Sequence, residues 1–385
     1  MKSTPSARLL DGMAGVARAT WDALANPPGA PFNPFVSHAF LAALEASGSA
    51  TARTGWQPAH ILVEQAGQPL AAAPMYVKNH SYGEYVFDHG WAQAFERAGG
   101  AYYPKLQVAA PFTPVTGPRL LTGGNPAARE PLAQAMMTFA QKLGVSSLHI
   151  TFLPQEDVDA LLPLGFLQRH DQQFHWHNQG YASFADFLGQ LSSIKRKNLR
   201  RERAEALSPG IEVEWLSGRD LTEAHWDAFF AFYMDTGSRK WGSPYLTREF
   251  FSLIGDSMAD QILLIMAKRN GRYIAGALNF IGSDALYGRN WGALEHHPFL
   301  HFELCYYQAI DFAIAKGLKV VEAGAQGAHK LARGYLPVRT QSAHWIAHPG
   351  LRDAVARYLK EERRAVGEEM EALAEHSPFK NTETP

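Results

Sequence analysis

The side chains of this chain that could do chemistry are concentrated between Ala285 and Trp345. Arg289 and Trp291 close one apolar run, His301 and Glu303 open the next, and Glu322, Gln326, His329, Lys330 and Arg333 follow a third. Carboxylates and imidazoles in such a group exchange protons at working pH. Glu303 is the leading acid/base candidate, because a carboxylate near a helix start could bind an ammonium and take its proton through water. Glu322 is the second carboxylate, and His301 or His329 could act instead. In AGAQGAH, Gly324 and Gly327 permit close backbone approach, and Gln326 could orient a carbonyl or amide beside a backbone N–H. Lys330 and Arg333 fall one helical turn apart and could face an anion, with Arg289 and Trp291 flanking the same cleft. Plainer roles compete: a helix cap for His301, a turn hydrogen bond for His329, and an ion pair to Lys330 or Arg333 for Glu322.

These residues need elements to hold them. LYGRNWG reads as a strand, HFELCYYQAIDFAIAKG as a helix and LKVVEAG as a second strand, followed by a glycine turn, a short helix and a strand. Ligand sites in α/β sheets lie beyond strand ends, where loops and helix N-termini converge. The hairpin pattern IMAKRNGRYIAGALNFI, turning at Gly271, repeats ILVEQAGQPLAAAPMYV, turning at Gly67. Each copy runs into a tyrosine-bearing third segment (Tyr82 and Tyr85, or Tyr287), then a helix and an apolar strand. Repetition at this spacing predicts duplicated α/β domains, residues 1–175 and 176–385, the second with a charged C-terminal helix. Helices are expected over 11–25, after a Ser37 cap, over 127–143 up to Gly144, and over 247–257. The prolines after Tyr103 predict a shaped loop or edge segment.

A net charge of -1 argues against general adhesion to nucleic acid, and no DNA partner is expected. One cysteine, Cys305, excludes an intrachain disulfide framework and fits a reducing compartment. Without a signal-like N-terminus or a run of 18 apolar residues, the expectation is a cytoplasmic protein with no integral membrane contact. Lys195, Arg196, Lys197, Arg200, Arg201 and Arg203 crowd one helix. That helix is either a solvated face or a platform for a phosphate-bearing substrate, with Lys195, Arg196, Arg200 and Arg201 as contacts. Arg239, Lys240 and Trp241 sit in a glycine-punctuated segment that could reach a ligand. His170, His175 and His177 read as a solvated strand face, and His296, His297 and His301 lack completing ligands, so no metal is expected.

LYGRNWG, HFELCYYQAIDFAIAKG and EAGAQGAHKLARGYLPVRTQSAHW together resemble the bacterial predicted N-acyltransferases of the Fem-like branch of the GNAT superfamily, some of them labelled peptidoglycan biosynthesis proteins. The basic SSIKRKNLRRE run is similar to a helix of tRNA-dependent Fem-type ligases. The resemblance implies two tandem GNAT-like domains with mixed sheets, and transfer of an acyl or aminoacyl group to an amine. It implies no tightly bound cofactor. Acyl-CoA, aminoacyl-tRNA or an acyl-carrier thioester would be the donor, and a small-molecule or cell-envelope amine the acceptor. RNWGALEHHPFLHFE departs from a glycine-rich pyrophosphate loop, with only Gly292 between Arg289 and the helix, whose N-terminus could still meet a phosphate. Direct attack by the amine competes with an acyl-thioester on Cys305. A noncatalytic module binding a phosphorylated precursor would use the same cleft without turnover.

Overall fold

The computed structural model describes residues 4–208, 210–241, 244–324 and 327–380. The chain divides into two compact units, Met1–Asp171 with Arg339–Glu368, and Gln172–Val338 with Glu369–Pro385. This differs from the single division expected after residue 175. The stretch 339–368 returns to the first unit because Ala343 packs into one of its cores and Ile346, Leu351, Val355 and Leu359 into another.

The first unit runs β1 (Ser6–Leu10), α1 (Arg18–Ala25), α2 (His38–Ala46), β2 (Trp56–Pro58), β3 (His60–Gln65), β4 (Gln68–Ala73), β5 (Met75–Lys78) and α3 (His89–Arg97). It continues with β6 (Lys105–Val108), α4 (Arg129–Leu143), β7 (Ser147–Thr151), α5 (Gln155–Leu161) and β8 (Leu167–His177), which carries the chain into the second unit. Ser37 caps α2 by accepting from the Phe40 N–H at 3.3 Å. The β3–β4 hairpin turns through Ala66 and Gly67, with φ of 53° and 75°. Pro74 lacks an N–H to continue a ladder, and the chain there leaves the sheet β1-β3-β4 for the sheet holding β2, β5, β6 and β7.

The third strand expected over Tyr82–Phe87 does not form, since Gly83 and Tyr85 take left-handed φ of 79° and 61°. β6 fills its place, antiparallel to β5 and parallel to β7, so the proline-rich segment contains a strand. Its prolines flank those four residues without interrupting them. The displaced loop is held by buried charge instead. The Lys105 ammonium donates to Glu84 (2.7 Å), Asp88 (2.6 Å) and Ser81 (2.8 Å). Neighbouring Lys78 lies 3.7 Å from the centre of the Trp56 ring. Burial pushes Lys78 down to about 7 and Glu84 up to about 7.

The second unit continues with α6 (Phe184–Gln190), α7 (Ser193–Leu207), β9 (Ile211–Leu216), α8 (Glu223–Trp241), α9 (Arg248–Met258), β10 (Ile262–Arg269), β11 (Arg272–Ile281) and β12 (Ala285–Ala293). A helix in three parts follows: α10 (Leu300–Phe302), a π-helical turn (Glu303–Tyr307) and α11 (Gln308–Ala315). Then come β13 (Val320–Glu322), a 3-10 helix (Ala328–Arg333), β14 (Leu336–Ile346) and α12 (Pro349–Glu375). Strands lie in the order β8-β13-β12-β11-β10-β9, and only β12 and β13 pair in parallel. The β10–β11 hairpin turns at Asn270 and Gly271, with φ of 52° and 74°, the same paired left-handed turn as in the first unit. Leu263, Ile265, Ala277, Leu286 and Val321 from one sheet face meet Leu304, Tyr307, Ile310 and Ala313 from the three-part helix. On β12, Gly292 lets α8 come close, because a Cβ there would lie 2.2 Å from the Phe232 carbonyl oxygen.

Candidate functional site

β12 and β13 stay paired for three residues only, Ala285 to Tyr287 against Val320 to Glu322. β13 then ends, while Gly288 to Ala293 continue against β11, with Arg289 as the extra, bulged residue of β12 opposite Leu278 and Asn279. The unpaired side of β12 borders a cavity of about 110 Å³. Gly288, Arg289, Asn290 and Trp291 form one wall, Ala323 and Gly324 another, and His301, Cys305 and Tyr306 a third. A Cβ at Gly288 would meet the Asn279 Oδ1 at 3.3 Å and the Glu322 carbonyl oxygen at 3.4 Å, so glycine keeps this end open. Asn279, 1% exposed, is fixed by donating to the carbonyls of Leu263 (3.3 Å) and Ala277 (3.2 Å).

The π turn decides which helix residues reach the cavity. Residues five apart on an α-helix lie about 140° apart around the axis. The wider turn closes i to i+5 and brings His301 and Tyr306 to one side, their ring centres 5.5 Å apart. Trp291 stands 5.2 Å from His301 across the cavity edge, and the Tyr306 hydroxyl is bonded to His329 Nε2 at 2.9 Å. Burial, with Arg333 and Lys330 nearby, lowers the His329 pKa, and burial raises that of Tyr306. Both shifts keep the imidazole and the phenol neutral, so the contact is a hydrogen bond between two neutral groups. Trp291 and His301 also line a larger chamber of about 500 Å³, together with Leu294, Phe299, Leu300 and Phe302.

Several expected roles change. Glu303 has no exposed surface and does not line the cavity. Its Oε2 accepts from Arg203 Nε (3.1 Å), and its Oε1 accepts from Arg203 Nη2 and Gln308 Nε2, both at 2.8 Å. Held by the guanidinium fork and sealed from solvent, the Glu303 carboxylate is in this arrangement not placed to take a proton from a group in the cavity. Arg333, 6% exposed, is likewise an internal tie and no anion contact. It donates to the Tyr307 hydroxyl (3.1 Å), the His329 carbonyl (2.8 Å) and Glu202 (2.8 Å).

Lys330, 2% exposed, donates to the Gly324 carbonyl at 2.7 Å and secures the turn at the cavity rim. Burial brings its pKa down to about 8, with the Cys305 thiol opposing and Arg289 adding to the shift. Glu322 lies 3.8 Å from His175. His175 is itself buried, which depresses its pKa to about 3, whereas His177 is exposed and His170 half-buried, so of the three β8 histidines it is His175 that departs from a solvated face.

Arg200 and Arg201 are exposed and Lys195 half-buried, and none of the three forms an ion pair among the described residues. Arg196 reaches the Leu191 carbonyl at 3.5 Å. Gln326 and the side chains of Arg239, Lys240 and Trp241 lie outside the described residues. His297 is bonded to Glu295 at 2.8 Å. Among the described residues no group of three His, Cys, Asp or Glu is placed to hold a metal, and no helix is long and apolar enough to cross a membrane. Asn279 escaped notice in the sequence, although a lone asparagine inside GALNFI was a usable signal.

Comparison with known proteins agrees with this architecture. FemX superposes with a TM-score of 0.54 at 12% identity, over 89% of this chain and 98% of that one. L-PGS from Bacillus licheniformis gives 0.52 at 11%, over 86% and 98%. A conserved protein of unknown function from Bacteroides thetaiotaomicron VPI-5482 gives 0.51 at 11%, over 88% and 99%. At these identities the likeness is one of fold. No curated protein matches the sequence. Residues 12–381 match the FemAB_like family, described as peptidoglycan biosynthesis/recognition. The chain therefore belongs to the FemAB_like family.

Proposed function

We propose that this protein is an N-acyltransferase that takes an acyl or aminoacyl group from an activated donor and passes it directly to an amine. The supporting observation is the cavity where β12 outruns β13, which offers strand backbone, Arg289 and an imidazole around one small space. The donor carbonyl enters there, and backbone N–H groups with Arg289 meet the charge developing on its oxygen. The amine nitrogen forms the new C–N bond while His301 takes its proton. The C–S or C–O bond to the leaving group breaks, and the departing thiolate or alkoxide is protonated through the Tyr306–His329 pair. Glu322 positions the His175 side of the strand end, and Gln326 orients the acyl carbonyl. Lys195, Arg196, Arg200 and Arg201 draw in a phosphate-bearing donor, either acyl-CoA, aminoacyl-tRNA or an acyl-carrier thioester. The acceptor is a small-molecule or cell-envelope amine. Two tandem GNAT-like domains and a cytoplasmic location accord with this role.

A second route deserves a test because Cys305 borders the same cavity and is half-buried near Lys330. There the thiolate would first accept the acyl group and then lose it to the amine. Purified protein offered each donor class with a pool of amines should form new amides, read by mass spectrometry. Once a pair is known, His301→Ala should lose about 10²–10⁴-fold in turnover, while Cys305→Ala stays within a few-fold of the parent. A donor-dependent adduct on Cys305 that forms at the turnover rate and disappears on adding amine would refute direct attack.

A further inference from the structure

Resting on that acyl-transfer reading, we infer that the larger chamber is the pocket for the transferred group, and that it selects acyl groups with a bulky, uncharged apolar body. Size is the first reason. With a water's share of liquid volume at roughly 30 Å³, the cavity of about 110 Å³ holds only a few non-hydrogen atoms. It accommodates a carbonyl and its immediate neighbours. Anything larger must continue elsewhere, and the chamber of about 500 Å³ is the neighbouring space, with Trp291 and His301 lining both. That volume is in the range of small-molecule pockets.

Chemistry is the second reason. Trp291, Leu294, Phe299, Leu300 and Phe302 give the chamber a mainly apolar lining, with Thr236 and three histidines, His296, His297 and His301, as its polar points. The one carboxylate on its wall, Glu295, is occupied by Arg269 and His297, each at 2.8 Å. No uncompensated acid faces a cationic side chain, so a free ammonium is poorly served there and an aromatic or branched aliphatic group is well served.

The chamber is also built to keep its shape. Phe299 holds a left-handed φ of 61°, a costly conformation for a bulky side chain that is retained mainly where function needs it. The floor is pinned where the Ala293 N–H donates to Thr236 at 3.2 Å and the Leu294 N–H donates to the Ile274 carbonyl at 2.9 Å.

Unreactive secondary amides test this without turnover. N-methylacetamide, N-methylhexanamide and N-methyl-3-phenylpropanamide, titrated into the full-length protein by calorimetry, should show the two larger amides binding at least about tenfold more tightly. Leu294 is 56% exposed, so Leu294→Asp will fold and should weaken the larger amides about tenfold while leaving N-methylacetamide unchanged. Ala293→Leu, which fills the chamber, should do the same. Equal affinity across the amides, or no effect of either variant, would overturn the assignment. So would hexylamine binding more tightly than N-methylhexanamide, since the chamber would then serve the acceptor. Size-selective amide binding without product from any donor would refute acyl transfer and leave the chamber's apolar selectivity standing.

Discussion

Replacing Arg203 with methionine removes the guanidinium that grips Glu303 and Asp311. The Glu303 carboxylate has no exposed surface and would keep only the Gln308 amide as a donor. Breaking a buried ion pair by deleting one partner costs about 3–5 kcal/mol. The Arg203 side chain is 21% exposed, so solvent screens part of the interaction and the lower end, about 3 kcal/mol, is expected. For a unit of 150–250 residues that corresponds to a fall in Tm of roughly 6–12 °C. Urea denaturation followed by far-UV circular dichroism reads the change as a lower midpoint at unchanged slope. Adding Glu303→Leu to Arg203→Met should recover most of the loss, because a matched apolar pair replaces a buried ionic one at little cost. Glu303→Gln keeps the shape and should cost about 1–2 kcal/mol, with turnover within a few-fold of the parent. An Arg203→Met protein within about 0.5 kcal/mol of the parent would refute the argument. A Glu303→Gln protein of normal stability without turnover would return that carboxylate to the chemistry.

Gly292→Ala places a methyl carbon 2.2 Å from the Phe232 carbonyl oxygen. It should destabilise the second unit by about 1–3 kcal/mol, read as a lower urea midpoint. Acidification should weaken the same unit through His175. Its ordinary value of 6.5 is depressed to about 3 by burial, so the unfolded chain gains a proton as pH falls through 6.5 and the folded chain gains it only near 3. The stability lost between pH 7 and pH 4, up to about 3 kcal/mol, should shrink in His175→Phe when urea midpoints are compared at those two pH values.

Local signals carried the parts of the fold that local chemistry controls. Ala66-Gly67 and Asn270-Gly271 each lie between apolar runs and each makes the paired left-handed turn that a tight hairpin needs. Ser37 and Thr247 cap their helices as side-chain acceptors. What stayed hidden depended on partners far along the chain. Arg203 looks like one more cation on a basic face, yet its carboxylate is 100 residues away. Nothing local in the sequence marks Lys78 and Lys105 for burial, and the loop bearing Glu84 and Asp88 is what makes it tolerable. β6 was obscured because its four residues lie between prolines. In the site, the strand, helix and strand were legible from apolar runs, as was the polar company at their ends. Which of those polar residues faces the cavity was not, since helical spacing alone cannot reveal a π turn.

That turn separates two jobs usually bound together in a helix. Leu304, Tyr307, Ile310 and Ala313 bury one side against the sheet, while His301, Cys305 and Tyr306 border the cavity. In a regular helix, an inserted residue would rotate everything beyond it and spoil either the core or the cavity. A single wide turn absorbs the extra residue and keeps both. A descendant that lost one residue here could retain the buried contacts of α11 while His301 swung by about one helical step, roughly 100°. The helix is thus a place where lineages can re-aim a reactive side chain through length changes, without redesigning the sheet beneath it.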